Sequence, residues 1–510
     1  MLFNSYQFVF VFLPVALIGF FILGRFNRVL AAAWLALASI VFYGYWSPKY
    51  IPLLLGSVVF NFICGRLISR RAGRNVGKTL LIAAISVNLL LLGFYKYLDF
   101  FLSVANDVIG THLALLRIVL PIGISFFTFT QIAFLVDAYR GLAREYSFVH
   151  YLLFATYFPH LIAGPILHHA EIMPQFSSAS PYRMSARSFG IGLTVFGIGL
   201  VKKVLIADPF GDIASGIFAA AHGGLHIRLV AAWAGVLAYT FQLYFDFSGY
   251  SDMAIGIAKL FGIDLPINFL SPYKSTSIIQ FWQRWHMTLS RFLRDYLYFP
   301  LGGNRKGKLR RYVNLMITMV LGGLWHGANY TFLIWGGLHG CYLMANHAWR
   351  AAGWQTNPPS RLANLAAGAT TVLAVMVAWV FFRAEDMPTA FNVLGGMAGA
   401  NGIAVHDAAG WFWQMIRHLF PGYAVVSEGA FQNLRVIPSR VELVLRFVGA
   451  AILLWAMPNT HQITERIESA CASSCAEPFY RYAVPGVSGL LLVYALSQMQ
   501  KVSTFLYFQF

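Results

Sequence analysis

The residue that most directly suggests chemistry is a histidine inside an apolar segment. His326 lies in GGLWHGANY (residues 322–330), between RYVNLMITMVL and TFLIWGGLHG. Apolar surroundings favour the uncharged imidazole, because burial penalises the charged form. A neutral imidazole can accept a proton and act as a general base. It can equally form a hydrogen bond to a neighbouring helix and take no part in catalysis, so position alone leaves both roles open.

The predicted depth of His326 makes it a candidate functional residue. It follows Arg311 by 15 residues, which corresponds to about 22 Å of helix. The hydrocarbon core of a bilayer is about 30 Å thick. An ionisable side chain at this depth is costly and by default indicates a functional site.

A second histidine, His286, lies in the apolar and basic segment 276–300. Aromatic residues recur there at helical spacing with arginines between them: Trp282, Trp285, Phe292 and Tyr296, and Arg284, Arg291 and Arg294. This pattern predicts an amphipathic helix at a membrane interface. Taken alone, a histidine in such a helix is more simply explained by a structural role.

A third cluster of polar residues interrupts an apolar run in QLYFDFSGYSDMAIG. Its members are Asp246, Ser248, Tyr250, Ser251 and Asp252. One interpretation is a span that ends or unwinds in a protein-lined cavity, where irregular backbone is tolerated. The other is a helix terminus with Ser248 or Asp252 as its N-cap.

Other chemistries have little support in the sequence. The remaining histidines in or near apolar segments form neither an HExxH motif nor a dense cluster with acidic residues, so we predict no metal site: His160, His168, His169, His339 and His347. No GxSxG motif occurs. Gly302, Gly307 and Lys308 fit the spacing of a phosphate loop, but Leu309 replaces the Ser or Thr that holds magnesium and no strand precedes it. The basic residues at 305–311 are better interpreted as a cytoplasmic anchor that could also meet an anionic donor.

The cysteines do not define a site. Cys64 and Cys341 lie in apolar segments and are expected to pack as small apolar side chains. Cys471 and Cys475 have C-x3-C spacing without a second pair, which permits a disulfide in an oxidising compartment and gives weak support for a metal.

Composition places these residues in a membrane protein. The chain has 510 residues, of which 58% are hydrophobic and 11% charged, whereas soluble proteins carry about 25% charged residues. The net charge of +18 is distributed in short clusters between apolar spans, as the positive-inside rule predicts, and does not indicate nucleic-acid binding. The first apolar stretch has basic residues only after it, so it predicts a retained helix and not a secretory signal.

We predict an all-α polytopic protein with about 11–13 transmembrane helices. The candidate spans, each apolar enough to cross a bilayer, are 8–24, 29–46, 51–67, 79–95, 115–137, 188–207, 228–246, 312–325, 328–347, 363–383, 443–458 and 484–497. Segments 150–167 and 276–300 are expected to be re-entrant or interfacial. An outside N-terminus places the basic residues near 25–28, 66–78 and 140–144 on the inside.

The whole chain, 1–510, is expected to form one membrane domain. It comprises N-terminal helices at 1–145, a catalytic core at 146–347, and C-terminal helices at 348–510 with an extramembrane loop at about 400–440. Glycines in FGIGLTVFGIGL are spaced to let helices approach closely: Gly190, Gly192, Gly197 and Gly199.

Several long motifs resemble one family. FWQRWHMTLSRFLRDYLYFPLGGNRKG followed by LGGLWHGANYTFLIWGGLHG resembles the membrane-bound O-acyltransferases, and within them the bacterial branch that acetylates exopolysaccharides such as alginate. LPIGISFFTFTQIAFLVDAYRG, FPHLIAGPILHHAEIMPQF, YFDFSGYSDMAIG and the terminal FLYFQF are similar to the same branch. Gln283, where a second basic residue is expected, and the 400–440 loop depart from the pattern.

The resemblance implies a multi-helix fold with a central hydrophilic tunnel through the membrane, and this tunnel passes near His326. It implies that His326 is the catalytic base and that His286 positions the substrate or assists the base. Predicted substrate-binding residues are Trp282, Trp285, Trp325, Asn329, Asp246 and Tyr250. No bound cofactor is expected. Acetyl-CoA or another acyl thioester would be the cytoplasmic donor, and a polysaccharide the acceptor.

The same resemblance implies a place in the bacterial inner membrane and a periplasmic acetyltransferase or esterase-like partner. Acyl transfer to a lipid, a protein or teichoic acid remains an alternative. So does a transporter or flippase, although the paired broken helices of inverted repeats are not evident in the sequence.

Overall fold

The computed structural model describes residues 1–143, 147–354, 360–403, 440–472, 483–499 and 505–506. Helices dominate these ranges and no strand occurs in them. The long apolar runs of the sequence explain this, because a backbone in hydrocarbon must satisfy its own hydrogen bonds. The predicted loop at 400–440 lies almost wholly outside the described residues, as do Cys475 and the side chain of Cys471.

The N-terminal part consists of helices joined by short turns. Its α-helices are α1 (Leu13–Phe26), α2 (Arg28–Trp46), α3 (Ile51–Ser69), α4 (Asn75–Leu92), α5 (Leu98–Ile109) and α6 (Ile124–Tyr139). π-helical segments precede α1 (Phe8–Phe12) and join α4 to α5 (Gly93–Tyr97), and a 3-10 turn, Pro48–Tyr50, precedes α3. Helices α3, α4 and α6 pack together, and α1 packs against α2.

The central part contains short helices as well as one very long one. Its α-helices are α7 (Phe148–Thr156), α8 (Phe158–Leu161), α9 (His169–Ser177), α10 (Ala186–Val201), α11 (Asp208–His222), α12 (Leu229–Leu260), α13 (Ile278–Trp282), α14 (Met287–Leu293), α15 (Lys308–His326) and α16 (Tyr330–Ala351). π-helical segments Lys202–Ala207 and Arg294–Tyr298 follow α10 and α14, and 3-10 turns occur at Ser180–Tyr182 and Pro272–Lys274.

The C-terminal part adds five helices in the described ranges. They are α17 (Arg361–Arg383), α18 (Met387–Met397), α19 (Arg440–Trp455), α20 (Thr460–Ala472) and α21 (Val484–Ser497). Helix α17 packs on α16 and α18, and α21 packs on α10.

The architecture is that of an all-α polytopic membrane protein. Six helical stretches in the described ranges are long and apolar enough to cross a membrane: Phe8–Phe26, Arg28–Trp46, Pro48–Ser69, Asn75–Ile109, Ala186–His222 and Arg361–Arg383. The bent pair Glu442–Trp455 and Thr460–Ala470, with 56° between its helices, would make a seventh. Helices α6 and α21 are shorter, with 16 and 14 residues, and the predicted count of 11–13 stays a prediction.

Close packing at glycines joins α10 to α12, as the sequence predicts. A Cβ on Gly199 would lie 2.6 Å from the carbonyl oxygen of Gly249, and one on Gly192 would lie 2.7 Å from that of Gly256. These distances are too short for any side chain, so two of the predicted glycines bring the helix backbones together. Gly197 faces α21, whereas Gly190 has nothing within 4 Å.

Three local predictions are wrong. The polar cluster 246–252 neither unwinds nor starts a helix, because it lies inside the continuous 32-residue α12; its carboxylates are paired with lysines. The segment 276–300 is not one interfacial helix, because it breaks at His286, which is fully buried together with Trp285. The predicted span 115–137 begins as a helix only at Ile124.

Candidate active site

The site is built around the end of α15, where His326 is the last helical residue. Gly327 follows in extended conformation and ends the helix. Helix α15 approaches α16 very closely, since a Cβ on Gly323 would overlap the carbonyl oxygen of Phe332 and one on Gly336 would overlap that of Met319. The two glycines therefore fix the position of His326 against α16.

Aromatic rings surround the imidazole of His326, which is 4% exposed. Ring centroids lie 4.9 Å away for Trp325, 5.1 Å for Trp335 and 5.0 Å for Phe382. Trp335 comes from α16 and Phe382 from α17. The surroundings are thus as apolar as the sequence predicts, and they favour the neutral imidazole.

His286 lies beside His326, at a break between two short helices. It adopts φ 42° and ψ 53°, a left-handed conformation that is uncommon for a residue with a side chain. Its ring centroid is 6.5 Å from that of His326. The structure therefore brings together the two histidines that the resemblance predicted as catalytic, from segments 40 residues apart in the sequence.

Hydrogen bonds to Asn268 define the tautomer of His286. Asn268 Nδ2 donates to Ser251 Oγ at 3.3 Å, so Asn268 Oδ1 is the acceptor. The Oδ1 atom accepts from Thr288 Oγ1 and from His286 Nδ1, both at 3.0 Å. His286 therefore carries its proton on Nδ1, and Nε2 keeps the basic lone pair.

Two cavities meet near His326. The first, called here the histidine cavity, has a volume of about 110 Å³ and is lined by residues that include Trp46, Lys96, Ser125, Trp325 and His326. The second, called the asparagine cavity, has a volume of about 280 Å³ and is lined by residues that include Lys96, Asp99, Gly327 and Asn329. His326 is buried but not sealed off, because one of these spaces reaches it.

Lys96 is part of both cavity walls and was not predicted from the sequence. Its Nζ atom donates to the carbonyl oxygens of Trp325 and His326 and lies 3.4 Å from Ser125 Oγ. The sequence did contain a signal for it: Lys96 is a lone lysine directly after the predicted apolar span 79–95. Asn268 and Trp335 were also missed. Asn268 lies outside the motifs that resemble the family, whereas Trp335 lies inside one of them, TFLIWGGLHG, but was not predicted to line the site.

The predicted substrate-binding residues divide into three groups. Trp325 lines the histidine cavity and Asn329 the asparagine cavity. Asn329 also caps α16, accepting from Thr331 N at 3.1 Å. Trp282 and Trp285 lie behind the site: the indole of Trp282 donates to His339 Nδ1 at 3.2 Å, and Trp285 packs on Trp379.

Asp246 and Tyr250 have structural contacts. The carboxylate of Asp246 lies 2.6 Å from Lys203 Nζ and accepts from the backbone N–H of Leu506 at 3.0 Å. Tyr250 packs between Phe3 and Phe505. Both residues thus hold the chain ends against α12. Their predicted role in substrate binding stays a prediction without a contact to either cavity.

A separate basic pocket of about 530 Å³ lies at the other end of α15. Its lining residues are Arg140, Asp295, Phe299, Pro300 and Arg305. Arg294 forms a bidentate pair with Asp295, and these hydrogen bonds raise the pKa of the Arg294 guanidinium. Because Arg294 balances the charge of Asp295, the guanidinium groups of Arg140 and Arg305 give the pocket a positive charge that can attract an anionic group.

Comparison with known proteins assigns the family. The model of the membrane-bound O-acyltransferase family matches residues 35–383. The chain belongs to this family. It is therefore an integral membrane O-acyltransferase, an enzyme that takes an acyl group from a donor to a hydroxyl acceptor. Its matched region includes both histidines and both cavities.

Three relatives of this O-acyltransferase carry more detailed names. The peptidoglycan O-acetyltransferase of Helicobacter pylori is 44% identical over 434 residues, covering 79% of this chain and 81% of the relative. The probable alginate O-acetylase AlgI of Pseudomonas aeruginosa is 42% identical over 403 residues, covering 78% and 75%. That of Pseudomonas fluorescens is 36% identical over 527 residues and covers both chains completely.

Proposed function

We propose that this O-acyltransferase moves an acetyl group from a thioester donor to a hydroxyl group of an exopolysaccharide such as alginate, with His326 as the general base. The observation that carries the proposal is the placement of His326 beside His286, at the wall of a cavity and among aromatic rings. A base is most useful where competing water is scarce and a hydroxyl can still enter.

The transfer follows from this arrangement. The acceptor O–H gives its proton to His326 while its oxygen attacks the acyl carbonyl carbon. The carbonyl electron pair moves onto oxygen, and the resulting oxyanion then collapses with cleavage of the C–S bond. The protonated His326 returns the proton to the thiolate. General-base assistance of this kind contributes roughly 10²–10⁴ in rate.

His286 is proposed to position the acceptor. Its Nδ1–H is held by Asn268 Oδ1, so Nε2 can accept a hydrogen bond from a substrate hydroxyl. The 6.5 Å between the two ring centroids excludes a direct hydrogen bond between the histidines. It suits two neighbouring hydroxyl groups of the acceptor, one that gives its proton to His326 and one that donates to His286 Nε2. Trp325 would form the wall of the site and Asn329 would contact substrate in the neighbouring cavity.

The donor is proposed to be acetyl-CoA or another acyl thioester on the cytoplasmic side. The basic pocket supports this, because Arg140 and Arg305 belong to clusters that the positive-inside rule places inside. A phosphate-bearing donor would be attracted by these guanidinium groups. We propose that the membrane is the bacterial inner membrane. The acceptor would then lie at its opposite face, together with a periplasmic acetyltransferase or esterase-like partner.

A peptidoglycan acceptor is the second candidate. The Helicobacter relative is named for peptidoglycan and is as similar to this chain as the alginate O-acetylases are. Both polymers offer sugar hydroxyl groups outside the cytoplasm, so the same site chemistry serves either. The two candidates differ in the acceptor and share His326.

The test is the acetyl content of both polymers in cells that carry wild-type protein, His326→Ala or His347→Ala. His347 is a partly buried histidine on α16 that lines neither cavity near His326, so its variant is the matched control. We expect His326→Ala to abolish acetylation at unchanged membrane abundance. Undiminished acetylation in that variant would overturn the base assignment, and acetyl groups on peptidoglycan alone would select the second candidate.

A further inference from the structure

Lys96 is an ionisable side chain inside a long apolar span, and it needs a compensating environment. It lies in the π-helical segment Gly93–Tyr97, within the candidate span Asn75–Ile109. Ionisable residues at such positions are costly and rare. The structure provides the compensation at the end of α15, next to the proposed base.

The contacts of Lys96 match an ammonium group. Carbonyl oxygens of Trp325 and His326 accept from its Nζ, the second at 3.2 Å, and Ser125 Oγ lies at 3.4 Å. The carbonyls are among the last four of α15, which have no partner within the helix. Three acceptors correspond to the three N–H donors of a charged lysine. The contact with Ser125 is longer than an ordinary hydrogen bond, so this N–H can turn to a closer oxygen.

The position of Lys96 relative to the cavities indicates more than a helix cap. Lys96 and Leu120 are the two residues that line both the histidine cavity and the asparagine cavity. A reacting group that occupies the histidine cavity therefore meets His326 on one side and the Lys96 ammonium on another. The ammonium group also lies over the ring of Trp325, with 6.0 Å between Nζ and the ring centroid.

We propose that Lys96 is a further catalytic residue of the acyl transfer, and this inference rests on the proposed function. When the acceptor oxygen forms its bond to the acyl carbon, the carbonyl oxygen takes the electron pair and becomes an oxyanion. The Lys96 ammonium donates a hydrogen bond to that oxyanion and keeps its proton. When the C–S bond breaks, the oxyanion becomes a carbonyl again and its negative charge passes to the thiolate sulfur, so Lys96 ends the cycle unchanged.

A structural cap is the alternative role, and the neighbouring Tyr97 allows the two to be separated. The hydroxyl of Tyr97 donates to the carbonyl oxygen of Leu324 at 2.9 Å. Tyr97 thus caps the same helix end with a neutral donor, and it lines neither cavity. Tyr97→Phe removes a cap without removing a charge, which makes it the matched control.

The experiment measures transfer of the radiolabelled acetyl group from acetyl-CoA to alginate or peptidoglycan by the full-length protein, in membrane vesicles that retain its native partners. We expect Lys96→Gln and Lys96→Met to lower kcat by about 10²–10³, the effect of removing one oxyanion donor, with KM and melting temperature little changed. Lys96→Arg, which keeps the charge, should retain much of the rate, and Tyr97→Phe should stay near wild type. If Lys96→Met does not fold, Lys96→Gln and Lys96→Arg carry the comparison.

The outcomes distinguish this inference from the proposed function. A Lys96→Gln variant with wild-type kcat would overturn the role of Lys96 while leaving His326 as the base. Equal losses in Lys96→Gln and Tyr97→Phe, with lower melting temperatures in both, would reduce Lys96 to a cap. Absence of transfer by the wild-type protein to either polymer would remove the proposed function and the role of Lys96 together.

Discussion

At the scale of single residues, the tautomer and the orientation of His286 depend on the side-chain amide of Asn268. Asn268 Oδ1 accepts from His286 Nδ1 while Asn268 Nδ2 donates to Ser251. Replacement of Asn268 by Leu removes the acceptor and leaves a buried N–H without a partner, at a cost of about 1–3 kcal/mol. We expect acetylation to fall by roughly 10–100-fold, because the histidine loses its fixed tautomer and orientation. Initial rates in isolated membranes measure this.

The control for that prediction is Ser251→Ala, which removes the oxygen that accepts from Asn268 Nδ2. It leaves the bond from His286 to Oδ1 in place, so most of the activity should remain. Equal losses of rate in Asn268→Leu and Ser251→Ala would show that the network matters for packing and not for the tautomer.

The predictability of the site also differs from residue to residue. His326 and His286 were singled out because their motifs resemble a family, since five other histidines also lie in or near apolar segments. Lys96 and Asn268 were not found, since each acts through a contact made by folding. Lys96 contacts carbonyls more than 200 residues away, and Asn268 contacts His286, which is 18 residues away in the sequence. No spacing in the sequence encodes these contacts.

At the scale of elements, glycine positions decide how closely α10 and α12 pack. Gly199→Leu would force a side chain against the backbone of Gly249, and overpacking of this kind costs roughly 1–3 kcal/mol or more. We expect lower membrane abundance and a lower melting temperature in detergent. Gly190→Leu on the same helix is the matched control, because nothing lies within 4 Å of its Cβ position. Similar losses in both variants would refute the close-packing explanation.

The long helix α12 also shows where sequence reasoning failed. Asp246 and Asp252 looked like a break in a span because the sequence does not reveal their partners. Lys202 and Lys203, on the π-helical segment after α10, pair with Asp252 at 2.7 Å and with Asp246 at 2.6 Å. Paired charges are tolerated in a helix interior, so α12 continues through them.

These pairs lead to a second prediction for the packing of elements. Asp246→Asn leaves Asp208 as the carboxylate that pairs with Lys203, and breaking a buried pair costs about 3–5 kcal/mol. The double variant Asp246→Leu with Lys203→Met removes both charges and should recover membrane abundance. Acetylation in the double variant is the decisive measurement. Recovery of activity would identify Asp246 as structural, whereas a folded but inactive double variant would support its predicted contact with substrate.

At the scale of the whole molecule, the two ends of α15 have different chemistry. The helix begins at Lys308, after the basic pocket, and ends at His326, beside the two cavities. Eighteen steps of 1.5 Å separate these ends by about 27 Å, close to the thickness of the hydrocarbon core. If α15 crosses the membrane, the donor and the acceptor reach the site from opposite faces.

This arrangement predicts a defined orientation. Basic clusters are retained on the cytoplasmic side, so Lys306 should lie inside and Thr111, in the segment between α5 and α6, outside. In a protein whose own cysteines are replaced, Thr111→Cys should react with a membrane-impermeant maleimide in intact cells, and Lys306→Cys should react only after permeabilisation. Acetylation by each variant confirms that it is folded. The reverse labelling pattern would place His326 towards the cytoplasm, and transfer to a polymer outside the cell would then need a different route for the acceptor.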